Sequence, residues 1–134
     1  MADRKTQLGR LEIGDFFHAE YPGQTVSLIC LVVAVSETTI RARRITNQKY
    51  LEFDRRTGVE RGEKRSLAVI DSVAPLPLEI HNVMLGLDRK SALGLQEKHL
   101  SGQEPWLNDA ERNALIFVGE YYPANPLKEV KAEK

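Results

Sequence analysis

Residues 38–58 read TTIRARRITNQKYLEFDRRTG and place Arg41, Arg43, Arg44, Lys49, Arg55 and Arg56 around a single tyrosine, Tyr50. Guanidinium and ammonium groups at this density suit phosphate oxygens, and an aromatic ring among them suits stacking on a base. Across residues 38–65 nine basic groups stand against four acids, a local charge of +5. The chain as a whole is neutral, so the remainder carries −5. A polyanion partner would exploit that asymmetry. The plainer reading is a solvated strand face that pairs its arginines with Glu52 and Asp54. Exposed ion pairs of that kind are worth only about 0–1 kcal/mol.

A second group of residues is apolar. Trp106, Phe117, Tyr121, Tyr122 and Leu127 fall in a short span, and Ile116-Phe117-Val118 makes one helix greasy around much of its circumference. Trp and Tyr are favoured anchors at protein interfaces. The plainer reading here is burial of that helix against the rest of the fold. The functional one is a face for a protein partner or for self-association.

Enzymatic chemistry has no visible apparatus. There is no glycine-rich phosphate loop, no HExxH and no GxSxG, and one cysteine cannot make a CxxC. His18 stands near Asp15 and Glu20, but a histidine at a strand end is more often hydrogen-bonded than metal-bound. His81 lies opposite the apolar stripe of its helix, and His99 in a polar loop. The carboxylates are scattered rather than paired. The expectation is a non-enzymatic chain with no catalytic residue, metal or cofactor. Cys30 sits inside SLICLVVAV and reads as a small buried hydrophobe. A lone cysteine fits a reducing cytoplasm. The eight apolar residues 28–35 are too few to span a bilayer, and the opening residues lack the apolar core of an export signal. No membrane partner is expected.

Positioning these groups requires a frame, and its first half reads as strands. Gly14-Asp15 admits the chain into a strand within 11–18, Pro22-Gly23 marks a turn, and 25–35 is rich in valine and isoleucine. Both phases of that second strand are apolar, which predicts cover on both faces. Ser36-Glu37-Thr38 is a short connection. Ile40 and Ala42 then alternate with Arg41 and Arg43, so the arginines point outward. Ile45 falls in the arginine phase, which predicts a bulge near Arg43–Arg44 or an exit from the sheet. Leu51 and Phe53 repeat the inward alternation. Gly58 suits the left-handed position that closes a turn. A last strand is read over 66–73.

Pro75 and Pro77 end the sheet. Leu76, Ile80, Val83, Met84 and Leu87 then recur at helical spacing, predicting a helix over about 77–88. A helical turn fits 91–99. Asn108 with Glu111 three residues on is a capping box opening a second helix, with Leu115, Val118 and Tyr122 as its stripe and Pro123 as its stop. Residues 123–134 read as a solvated, flexible tail.

Gly14-Asp15, the long apolar second strand, the tight 36–38 turn and two further alternating strands give residues 11–73 a pattern that resembles the Src-homology-3-like barrels, including Tudor- and KOW-type modules. The resemblance implies an α+β chain: a small five-stranded antiparallel barrel over 11–73, then a two- to three-helix C-terminal extension over 76–122 packed on it, all in one domain. Such barrels host many unrelated functions. The expected function is a small binding or adaptor protein acting through protein–protein interaction or assembly, with Trp106, Phe117, Tyr121 and Tyr122 as the interaction surface. The alternative is a nucleic-acid-binding module using Arg41, Arg43, Lys49, Tyr50, Arg55 and Arg56.

Overall fold

The computed structural model describes residues 4–23, 27–45, 48–62, 67–92 and 108–127. Its elements are α1 (Arg4–Gly9), β1 (Phe16–Glu20), β2 (Ser27–Val35), β3 (Thr39–Arg44), β4 (Tyr50–Asp54), β5 (Val69–Ser72), α2 (Leu78–Lys90) and α3 (Asp109–Ala124). The five strands form one antiparallel sheet in the order β4-β3-β2-β1-β5, and helices follow it, so the class is α+β. Among the described residues no helix is long and apolar enough to cross a membrane.

The sheet is strongly curled. In a flat sheet β1 and β4 would lie three strand spacings apart, about 14 Å. Yet the Phe17 ring on β1 meets the Phe53 ring on β4 edge-on, with centroids 5.3 Å apart. Two isolated bridges, Phe53 with Glu60 and Val59 with Val69, link the two edge strands through one short segment. Curling lets one face of every strand share a single core. Phe17, Leu28, Cys30, Val32, Ile40, Ala42, Phe53 and Ile70 meet there, and Leu8 and Leu11 join them from the α1 end.

The convex face carries the second core. Phe16, Leu31 and Ile45 from the sheet side pack against Met84 and Leu87 of α2 and Ala114, Val118 and Tyr122 of α3. This explains why Phe16 and Phe17 are both buried although neighbours in a strand point opposite ways. It also explains Ile45. β3 ends at Arg44, and Ile45 keeps its outward phase, where the helices cover it. No bulge lies at Arg43–Arg44: the register shift is on the facing strand, between Val32 and Ala34. That shift turns Ala34 outward, opposite Arg41, and brings Val35 against the concave core.

Other boundaries moved for local reasons. α1 has only six residues and no strong periodicity, and it went unforeseen. The first strand starts at Phe16, because residues before it turn: Gly14 adopts φ +98° and its N–H bonds the Val32 carbonyl at 2.9 Å. Gly58 is left-handed as expected, φ +77°, and its N–H closes the turn on the Asp54 carbonyl. The capping box is formed, with the Glu111 N–H donating to Asn108 Oδ1 at 2.8 Å and the Asn108 N–H to Glu111 Oε1 at 3.0 Å. α3 runs one residue past Pro123. The tail assignment from residue 123 is corrected: the Leu127 N–H bonds the Asp71 carbonyl at 2.8 Å, and its side chain is buried in the concave core. Burying one leucine is worth roughly 2 kcal/mol, enough to hold a short return segment.

Candidate interaction surface

The β3–β4 pairing sets Arg41 opposite Glu52 and Arg43 opposite Tyr50, all on the convex face. Arg41, Arg43, Lys49 and Tyr50 therefore come together. Asp54 is four residues on from Tyr50, or about 13 Å along the strand, and Arg55 and Arg56 lie beyond it. The six do not make one cationic groove.

Two of the arginines are committed inside the molecule. Arg43 donates from Nε to Asp88 Oδ1 at 3.2 Å and from Nη2 to Asp88 Oδ2 at 2.6 Å, a two-pronged pair reaching from sheet to α2. Asp88 is buried and also accepts from Gln48 Nε2 at 2.9 Å. The hydrogen bond to Asp88 raises the Arg43 pKa above its ordinary value. Gln48 itself is held at φ +60°, an unusual value for a residue with a side chain. Its amide bonds both Asp88 and the Ile45 carbonyl, which fixes that strained turn. Arg55 is equally occupied. Its guanidinium donates to the carbonyls of Ser36 (2.6 Å), Gly9 (2.9 Å) and Leu11 (2.8 Å), clamping the end of α1 to the sheet.

The solvent-exposed part of this face is smaller. Arg41 is exposed and lies over the Tyr50 ring, 4.7 Å from its centroid. Tyr50 is half exposed, and Lys49 and Arg56 are exposed. Near Arg56 the partly exposed Asp54 carboxylate accepts the backbone N–H groups of Arg56 and Thr57, which lower its pKa.

The aromatic group also divides. Tyr122 is not a surface anchor: it is 1% exposed and part of the convex core, because α3 turns that side to the sheet. Its hydroxyl is buried and has no hydrogen-bond partner among the described residues. Burial pushes its pKa up. Trp106 lies outside the described residues, as does His99. Phe117 and Tyr121 remain at the surface, stacked with centroids 5.1 Å apart. The Tyr121 hydroxyl donates to the Pro75 carbonyl. Pro75 belongs to the wall of a cleft of about 800 Å³ that also includes Arg10, Leu11, Asp15, Phe16, Leu78 and His81. Leu78 is 74% exposed there. His81 is not simply solvated, since its ring meets Phe16 edge-on at 5.0 Å on the cleft side.

His18 is buried rather than left at a wet strand end. β1 turns it to β5, where Nδ1 lies 2.6 Å from Asp71 Oδ1. Among the described residues no group of three or more His, Cys, Asp and Glu is placed to hold a metal ion. Asp88 and the Leu78 cleft escaped sequence reading, because both depend on contacts between distant elements. The one available signal was an acid, Asp88, next to Leu87 at the end of an apolar helical stripe.

A search against protein-family models, curated proteins and solved structures finds no match to the chain.

Proposed function

We propose that the chain is a non-enzymatic protein-interaction module of Src-homology-3-like architecture. It takes an apolar segment of a partner protein on the ledge of Phe117 and Tyr121 and in the adjoining cleft edged by Leu78. The bridges that join the edge strands through Val59 and Glu60 support the architectural part of this reading. The functional part rests on one observation: Phe117 is stacked on a tyrosine whose hydroxyl is already anchored to Pro75. Rings held rigid at a surface lose little freedom on binding, which is what an anchor needs. The cleft volume lies in the range of sites that enclose small ligands or a few residues of peptide.

The nucleic-acid reading is weaker, since Arg43 and Arg55 are spent on Asp88 and on backbone carbonyls. The Arg41–Tyr50 stack is the feature that favours it. Panning a random peptide display library on the full chain, then titrating recovered peptides calorimetrically, tests the first reading. Peptides should bind at micromolar strength and lose about tenfold or more with Leu78→Asp or Phe117→Ser, the scale of a 1.4 kcal/mol anchor. Binding to both variants as tight as to the wild type refutes the ledge. Salt-sensitive binding of single-stranded RNA or DNA that is abolished by Arg41→Ala moves the function to the basic hairpin.

A further inference from the structure

We infer that the outward stripe of α3 is a self-association surface, on which two copies of this chain pair as antiparallel helices about a twofold axis at Ile116. The stripe is a different face from the ledge: Phe117 and Tyr121 lie more than a quarter-turn round the helix from Ile116. The two proposals therefore stand or fall separately.

Ala114 and Val118 are buried, so Ile116, between them in sequence, points directly away from the core and is 58% exposed. Arg112, Asn113, Gly119, Glu120 and Pro123 share its side of the helix and are all exposed. Gly119 is the informative member. Glycine in a helix interior is a cost relative to alanine. The described residues of the monomer give no reason for it, because a Cβ at Gly119 would meet none of them within 4 Å. A second backbone approaching from outside supplies a reason.

The charges choose the occupant and its direction. In antiparallel pairing centred on Ile116, each residue faces the one equally far on the other side of the centre. Arg112 then faces Glu120 of the partner subunit, and symmetry repeats that contact. Asn113 faces Gly119 of the partner subunit, where the missing side chain leaves room for its amide. Parallel pairing would set arginine against arginine and glutamate against glutamate, so the stripe complements its own reverse. With α3 only 16 residues long, the contact is at the small end of interfaces, and a weak, concentration-dependent dimer is expected.

Sedimentation equilibrium of the full chain, from about 10 μM to 1 mM, tests this. Wild type should pass from monomer to dimer. Ile116→Arg and Gly119→Leu should abolish dimerisation while circular dichroism shows the fold retained. Arg112→Glu and Glu120→Arg should each weaken association about tenfold, and the double exchange should restore it to within about threefold. A wild-type chain that stays monomeric overturns the inference, and if ledge peptides still bind, it leaves the proposed function standing. Dimerisation that ignores Ile116→Arg, or that is lost only with Phe117→Ser, also overturns it.

Discussion

Asp88→Ala separates a structural arginine from a ligand-binding one. Asp88 is 5% exposed in its side chain, and its carboxylate receives two bonds from Arg43 and one from Gln48. Removing one partner of a buried ion pair costs about 3–5 kcal/mol, because the other charge stays without compensation. The Arg43 side chain is 23% exposed, so water recovers part of that loss. The Gln48 amide loses one hydrogen bond, about 1 kcal/mol. The expected destabilisation is therefore about 2–4 kcal/mol. For a chain of this size that lowers the melting temperature by roughly 8–16 °C. Urea and thermal unfolding at neutral pH, followed by circular dichroism, measure it. A double-mutant cycle with Arg43→Met should show a coupling of at least about 1 kcal/mol, with the Arg43→Met, Asp88→Leu double variant more stable than either single one. An Asp88→Ala chain within about 0.5 kcal/mol of wild type, or a strictly additive cycle, refutes the reasoning. So does an Arg43→Met chain that keeps its stability but loses nucleic-acid binding.

Two further perturbations check the packing around this frame. Burial pushes the Cys30 thiol from its ordinary 9.0 up to about 12, so the folded state keeps the proton that the unfolded chain gives up. Stability is then unaffected below pH 9 and falls between pH 9 and 12, by up to about 4 kcal/mol over the whole window. A thiol reagent should leave the native chain untouched until it unfolds, and Cys30→Ala should flatten the alkaline loss; prompt labelling at pH 8 contradicts the burial. Arg55→Ala should cost about 1–2 kcal/mol in urea unfolding through the lost carbonyl clamp, while Arg56→Ala stays within about 0.5 kcal/mol. Equal effects at the two positions would show that Arg55 is as free as its neighbour.

The strands of β2, β3 and β4 were legible because inward residues recur every second position, and tertiary packing obeyed that period. Ile40 and Phe53 are fully buried and Arg41 is exposed, as the alternation requires. Of the helices, α2 and α3 were legible from the Leu76–Leu87 spacing and the Asn108–Glu111 box, while the short α1 was not. Two other features were not. Ile45 looked like an irregularity because the arginine face of its strand was read as wet, whereas α2 and α3 cover part of it. Leu127 looked like tail because its partner, the Asp71 carbonyl, is more than fifty residues away and a backbone group has no sequence signature.

The same distance effect governs the candidate site. A count of charges assigns +5 to residues 38–65, but a charge is available to a ligand only if the fold has not used it. Arg43 is bound to an acid 45 positions later, and Arg55 to carbonyls 44 and 46 positions earlier. Both look identical in sequence to Arg41 and Arg56, which the fold leaves exposed. Function is better sought among residues the monomer holds at some cost and does not itself need. Leu78, Ile116 and Phe117 keep apolar surface in water, and Gly119 weakens a helix that has room for a side chain. Three of these four lie within four residues on α3, away from the basic hairpin. That placement is why the proposed contacts are drawn on the helix and not on the arginine-rich strand pair.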